Sequence, residues 1–148
     1  MRINTALFGT VDIDEEKIIN FESGIPAFPD EKRFYLIHDE DNQNSIFCWL
    51  QSVDSPSLVF TLVDILDLKP DYSPVIDEAD LKSIGDYNEH DFFIYSIVKV
   101  PENIEDITAN LKAPIIINAK TLKGRQTITS NEEYEIKCKI YDELKNRK

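Results

Sequence analysis

The side chains able to carry out chemistry are isolated from one another along this sequence. The histidines are His38 and His90 and the cysteines are Cys48 and Cys138, and none has a companion at the spacing of a metal-binding motif. There is no Gly-x-Ser-x-Gly nucleophile motif, and the four glycines are too scattered to form a phosphate-binding loop. His38 ends a predicted strand beside acidic residues, so we expect a surface residue and not a base. The sequence therefore predicts a protein that is not an enzyme and uses no cofactor or metal.

The charged residues are unbalanced in number and in position. The chain has 28 acidic and 16 basic residues, a formal net charge of -12. Residues 1–98 contain 20 acids and 6 bases, whereas residues 99–148 contain 8 acids and 10 bases. Nucleic-acid binding depends on Lys and Arg that neutralise phosphates, and the small basic patch of Lys120, Lys123 and Arg125 is too weak for that. An acidic surface suits a basic protein partner, a cation or solubility alone.

Size and cysteine usage indicate one cytoplasmic domain. The chain has 148 residues, of which 42% are hydrophobic, enough for a single well-packed core. The two distant cysteines favour reduced, buried thiols over a disulfide framework. The first residues lack the apolar run of a signal peptide, and no stretch approaches the ~20 apolar residues of a membrane span.

Short strands separated by turns dominate the pattern. We predict strands near residues 17–21, 33–38, 46–51, 58–66, 91–100 and 134–141, with residues 3–13 forming one bent strand or a tight pair. One short helix is predicted over residues 77–84, since acids occupy its first turn and Gly85 follows it. The fold class is therefore all-β and mainly antiparallel: a small barrel or curved sandwich with one short helix, in a single domain over 1–148. Residues 142–148 are predicted to be a frayed tail.

The most unusual stretch runs from Thr108 to Gln126. Pro114 precedes the apolar run 115–117, which is typical of a strand start, and Lys123-Gly124 reads as a turn before a second strand. Asn110 stands where its side chain can hold the preceding turn. A core hairpin is the first interpretation, and a docking surface is the second.

Several phrases of the sequence resemble the FliW family of bacterial flagellar assembly factors. They run in order from about Ile3 to Tyr141: Phe21-x-x-Gly24-Ile25-Pro26-x-Phe28, Arg33-Phe34, Phe47-x-Trp49-Leu50-Gln51-Ser52, Leu58-x-Phe60, Tyr72, Asp80-Leu81, Asn110-Leu111-Lys112-Ala113-Pro114, Ile116-Ile117-Asn118, Gly124-x-Gln126 and Tyr134. The sequence departs from the family at Ala27, where a second Gly is frequent, and at Asp64-Ile65, near a frequent Pro. These departures concern local loop shape.

The resemblance implies a small β-barrel that regulates without catalysis. Members of the family bind newly made flagellin in the cytoplasm, and they bind the RNA-binding translational repressor CsrA when flagellin has been secreted. Binding of CsrA then relieves repression of flagellin synthesis, by an allosteric route. A monomer that touches neither nucleic acid nor membrane is expected.

The residues that dock these partners are expected on loops and on the acidic surface. Loops on rigid scaffolds often carry recognition, which favours Ile25, Phe28 and the turn Asn110, Leu111 and Lys112. Acids within residues 64–91 are expected to attract a basic partner and repel RNA phosphates. This acidic set comprises Asp67, Asp71, Asp77, Glu78 and Asp80. The competing interpretation is a small-molecule-binding barrel with a cavity lined by Trp49 and other aromatic residues.

Overall fold

The computed structural model describes residues 1–39, 45–86 and 91–146. The strands in these residues are β1 (Arg2–Thr5), β2 (Gly9–Asp12), β3 (Ile19–Asn20), β4 (Arg33–His38), β5 (Phe47–Ser52), β6 (Val59–Asp64), β7 (Phe92–Lys99), β8 (Thr108–Ala109), β9 (Ile115–Asn118), β10 (Lys123–Gln126) and β11 (Cys138–Lys139). The α-helices are α1 (Ile65–Leu68), α2 (Glu78–Ser83) and α3 (Tyr141–Asn146), and short 3₁₀ turns cover Glu15–Lys17 and Ile104–Asp106. No helix among these residues is long and apolar enough to cross a membrane.

A closed seven-stranded barrel forms the centre of the molecule. Strands β3 to β7 follow one another as an antiparallel meander, and β9 continues it by pairing with the first half of β7. Strand β10 pairs antiparallel with β9 and meets β3 in parallel, through Lys123 and Asn20, which closes the barrel. The prediction of a mainly antiparallel small barrel is confirmed. The parallel contact at the closing seam is the exception to its antiparallel pattern.

The interior of the barrel is filled by side chains that alternate along the strands. Inward residues such as Phe34, Leu50 and Leu62 are fully buried, whereas outward neighbours such as Tyr35 and Trp49 are only partly covered. The interior cluster contains Ile19, Phe21, Ile25, Phe34, Cys48, Leu50, Leu62, Tyr95, Ile115 and Ile117. Phe21 and Phe34 meet edge to face with ring centroids 5.1 Å apart. These side chains fill the centre of the barrel.

A second core lies against the outer face of β7. Its members come from β7, β8 and the segments that wrap around them: Ile46, Val63, Ile65, Leu68, Tyr72, Val98, Ile107, Ala109, Leu111 and Ile140. Strand β8 pairs with the second half of β7, and β11 pairs with β8. Strand β7 therefore belongs to both cores. A third, smaller cluster of Ile3, Ile13 and Val53 lies under the hairpin of β1 and β2. Of the two forms predicted for residues 3–13, the structure therefore has the tight pair and not the bent strand.

The number of helices differs from the prediction of one. Helix α2 agrees with the predicted segment, but the predicted strand 58–66 ends at Asp64 and turns into α1. The Asp64 carboxylate accepts the N–H of Asp67 at 3.4 Å, so it caps a helix where the sequence pattern reads as an uninterrupted apolar strand. The expected frayed tail is instead helix α3 as far as Asn146, because Leu144 packs against the second core. Residues 147–148 lie outside the described residues.

The predicted strand over residues 134–141 is also largely wrong. Only Cys138–Lys139 pair as a strand, and Ile136, which the alternation places inward, is exposed. The preceding chain is held by single hydrogen bonds instead. The Tyr134 hydroxyl accepts the N–H of Ser73 at 2.7 Å, and the Glu135 carbonyl accepts the N–H of Leu111 at 3.0 Å. The apolar and polar residues alternate here as in a strand, but the neighbouring strand β8 offers only two residues to pair with.

The hairpin of β9 and β10 is confirmed, but its turn lies earlier than predicted. Asn118 ends β9, and its side-chain oxygen accepts the N–H groups of Lys120 and Thr121 at 2.9 and 3.2 Å. The left-handed turn residue is Leu122, with φ of 55°. Gly124 lies within β10, where a Cβ would come 2.7 Å from the ring of Phe21. That glycine is thus required by close packing at the seam and not by a turn.

Candidate functional site

The proline-containing loop before β4 is rigidly held and exposes one aromatic ring. Gly24 has φ of 66°, and Ile25 is buried in the barrel interior, so Ile25 is not available to a partner. Phe28 is 41% exposed and rests edge-on against Phe60, with ring centroids 5.9 Å apart. The Glu31 carboxylate anchors the loop by accepting hydrogen bonds from the hydroxyls of Ser52 and Ser55. Of the two residues predicted here, only Phe28 can contact another protein.

The turn at residues 110–112 is part of the second core. The Asn110 side-chain oxygen accepts the N–H of Ala113 at 2.9 Å, so it holds the turn that follows it and not the preceding one that was predicted. Leu111 is buried, and its carbonyl accepts the Tyr72 hydroxyl at 2.7 Å. Lys112 donates to the carbonyl of Asn131 at 2.8 Å. This turn is therefore a structural element, and it packs in a different core from the Phe28 loop.

The predicted acidic residues divide into structural and surface groups. Asp77 caps α2 by accepting the N–H of Ala79 at 2.8 Å. Asp80 pairs with Arg125 at 3.2 Å and accepts the hydroxyl of Thr127, which ties α2 to β10. The three others, Asp67, Asp71 and Glu78, are exposed, with Glu78 in an ion pair with Lys82. Asp77 is exposed as well, so Asp67, Asp71 and Glu78 are the exposed members of the predicted set that neither cap α2 nor bind Arg125.

Two exposed apolar residues that sequence reasoning missed lie at one end of the barrel. Leu66 is 42% exposed on α1, and Phe93 is 50% exposed at the start of β7. Phe93 shares the inward side of β7 with Tyr95 and Ile97, but it stands at the open end of the barrel. The sequence contains the Phe92-Phe93 pair at the start of the predicted strand 91–100. Because both faces of that strand are apolar, the sequence does not indicate which of the two rings is exposed.

Phe93 lines two concave surfaces, one with carboxylates and one with a lysine among its lining residues. On one side a groove of about 380 Å³ lies between α1 and the start of β7, with Asp64 and Asp67 among its lining residues. On the other side a pocket of about 270 Å³ opens at the mouth of the barrel, lined by Ile19, Leu36 and Ile117 and edged by Lys17 and His38. We call these the α1 groove and the mouth pocket. His38 is exposed, as predicted, and His90 lies outside the described residues.

The shifted ionisable groups are structural. Burial raises the pKa of the Cys48 thiol to about 12, with the nearby Asp64 carboxylate adding to the effect. Burial likewise raises the pKa of the Tyr95 and Tyr72 hydroxyls. On the surface, the hydrogen bond from Arg33 lowers the pKa of Asp54. In residues 1–39, 45–86 and 91–146, no group of three or more His, Cys, Asp or Glu side chains is placed to hold a metal ion. What the arrangement offers is surface for binding.

The chain matches known proteins over almost its whole length. The family model described as "FliW protein" matches residues 2–140. A "Flagellar assembly factor FliW" of Caldanaerobacter subterraneus subsp. tengcongensis is 44% identical over 99% of this chain and 97% of its own length. A protein of the same name from Lachnospira eligens is 38% identical over 98% of this chain and 97% of its own.

A solved structure has the same architecture. It is described as "Crystal structure of the flagellar assembly factor FliW", with a TM-score of 0.86 and 35% sequence identity. The match covers 95% of this chain and 97% of that chain. Sequence, fold and extent of coverage agree, and the chain therefore belongs to the FliW family.

Proposed function

We propose that this protein is a cytoplasmic, monomeric flagellar assembly factor that couples flagellin synthesis to flagellin secretion. It binds flagellin and, when free of it, binds the translational repressor CsrA and antagonises it. The observation that carries the proposal is the full-length similarity to proteins named as flagellar assembly factors, at up to 44% identity in the relatives described above. Partner exchange is what the family resemblance implies for such a protein.

The surface of the molecule supports a protein-binding role. The barrel interior is packed with side chains. Phe28, Leu66 and Phe93, in contrast, are large apolar residues exposed at the surface of the protein. Large apolar side chains at the centre of a contact supply most of the binding energy in protein interfaces. A formal charge of -12 favours a basic protein and disfavours direct contact with nucleic acid.

The experiment is a titration of this protein against flagellin and CsrA of the same organism, singly and in competition, at low and moderate salt. The proposal expects binding of both proteins and displacement of each by the other. Binding of neither at micromolar concentration would contradict it. Binding of both without displacement would leave two interactions and remove the coupling.

The acidic contribution is tested with three exposed carboxylates of the predicted set, Asp67, Asp71 and Glu78. The triple variant Asp67→Asn, Asp71→Asn and Glu78→Gln should bind CsrA more slowly and with a weaker dependence on salt, because charge steers association. Asp77 and Asp80 are left intact, because Asp77 caps α2 and Asp80 pairs with Arg125. The control replaces an equal number of exposed acids elsewhere: Glu16→Gln, Glu102→Gln and Glu132→Gln. An unchanged salt slope in the triple variant, or the same change in the control, would refute local steering.

The mouth pocket favours a second candidate function, binding of a small apolar anion. Its apolar lining, with Lys17 at its edge, would suit an aliphatic chain that ends in a carboxylate. Octanoate is a suitable probe, and a rise in the unfolding temperature that Leu36→Gln abolishes would support this function. An unchanged unfolding temperature at millimolar octanoate would count against it.

A further inference from the structure

The α1 groove combines an anchored wall with exposed apolar side chains. Ile65 and Leu68 bury one side of α1 in the second core, which fixes the helix against β7. Leu66 is thereby turned outward, and Phe93 stands on the opposite wall of the groove. Holding two large apolar residues partly in water costs free energy that a docked apolar group would recover. The groove has the form of a receptor for one side chain of a partner.

The charge of the groove is one-sided. Among the described residues that line it, the charged ones are Asp64 and Asp67. Across Phe93, the mouth pocket has Lys17 and His38 at its edge. A cationic group of a ligand is therefore expected on the α1 side of Phe93, next to Asp64 and Asp67.

We propose that the α1 groove docks a segment of a basic protein that presents an aliphatic or aromatic side chain next to a Lys or Arg. The apolar side chain lies between Leu66 and Phe93, and the cation lies beside Asp64 and Asp67. The stem of a Lys or Arg also covers apolar surface while its charge stays near water. This inference rests on the proposed function, in which the basic partner is the RNA-binding repressor.

Charge argues against the other occupants of such a groove. A nucleic acid would place phosphates beside two carboxylates, and a fatty acid would place its own carboxylate there. A second copy of this chain has a net charge of -12 and would repel the first. A basic protein segment is the occupant whose charge and apolar content both match.

The test measures repressor affinity by calorimetry for variants of the groove. The double variant Leu66→Gln and Phe93→Thr should bind the repressor about tenfold more weakly or worse, which is typical for loss of a central apolar contact. Asp67→Lys should weaken binding further than Asp67→Asn, and both should flatten the salt dependence. The matched control is Val100→Thr with Ile128→Thr, two apolar residues that are 55% and 68% exposed outside the groove. The control should bind within about twofold of the parent protein, as surface residues outside an interface do.

The outcomes separate this inference from the proposed function. If the parent protein binds the repressor and the double variant binds equally well, the groove is not the docking site and the proposed function stands. Equal losses in the groove variant and the control would also overturn the inference. If the parent protein binds neither flagellin nor the repressor, the proposed function itself fails. Should Phe93→Thr unfold, Leu66→Gln alone decides the question, because Leu66 is on the solvent side of α1.

Discussion

Replacement of Asn118 by Ala should strongly destabilise the protein. Asn118 is fully buried at the end of β9 and uses its whole amide. Its nitrogen donates to the carbonyls of Ile84 and Asp86 at 3.2 and 3.1 Å, and its oxygen accepts two backbone N–H groups. One side chain thus joins the chain after α2 to the turn between β9 and β10.

The loss of stability depends on how many of the four backbone groups bonded to Asn118 find another hydrogen-bond partner. Four groups left unsatisfied at about 2 kcal/mol each would give about 8 kcal/mol. The Ile84 carbonyl, however, keeps the hydroxyl of Thr121 as a second donor, and Asp86 and Lys120 are exposed, so water can replace Asn118 at both. The Thr121 N–H and the space left by the side chain remain uncompensated. We expect a loss of about 3 kcal/mol in the free energy of unfolding.

Urea unfolding followed by circular dichroism measures this loss. For a domain of this size the slope is about 2 kcal/mol per molar urea, so the midpoint should fall by about 1.5 M with an unchanged slope. Asn118→Asp should be at least as damaging, because a buried carboxylate would face two carbonyl oxygens. Asn4→Ala on exposed β1 is the control and should change stability by less than about 0.5 kcal/mol. A midpoint shift below about 0.5 M for Asn118→Ala would refute this reasoning.

Further expectations concern a glycine, the thiols and one ion pair. Gly24→Ala should cost about 2 kcal/mol more than Gly9→Ala, since both have positive φ but only Gly24 would place a Cβ 2.5 Å from a backbone oxygen; equal losses in urea unfolding would contradict the clash. In a thiol titration of the native protein, Cys48, with its pKa raised to about 12 by burial, should react only after denaturant is added, well after the less buried Cys138; rapid native labelling of both would contradict this. The lowered pKa of Asp54 means that its ion pair stabilises the protein above the unfolded-state pKa and is lost as pH falls through the folded-state pKa. Asp54→Asn should therefore reduce stability by about 0.5 kcal/mol at pH 7, because the pair is exposed, and should have no effect near pH 2; an equal loss at both pH values would contradict it.

Much of the barrel was predictable because its strands bury one face and turn at polar or glycine-containing segments. The strands near residues 33–38 and 46–51, the central strand before Asp64 and the hairpin after Pro114 all occur. The errors arise where a single side chain overrides a periodic pattern. Asp64 ends a strand by capping a helix, and the alternation over residues 134–141 has only a two-residue edge to pair with. The local sequence pattern shows neither that Asp64 caps a helix nor how long the neighbouring strand is.

The candidate site was less predictable than the fold, because exposure depends on how the barrel closes. Ile25 and Leu111 are apolar residues in turn-like segments, and the two cores bury both of them. Phe93 lies in an apolar strand, as a buried residue would, but its position at the end of the barrel leaves it half exposed. Asp80 reads as surface charge, yet it is engaged by Arg125 and Thr127. Each of these outcomes requires the three-dimensional arrangement.

The parallel contact between β3 and β10 has a consequence for synthesis on the ribosome. Asn20 is made early, and its partner Lys123 emerges only after the other six barrel strands have been translated. Until then the nascent chain is an open curved sheet with two unpaired edges, a form prone to pair with other chains. Protection of the nascent chain is therefore needed most just before Lys123 appears, and a truncation that removes β10 should yield an aggregating product instead of a smaller barrel.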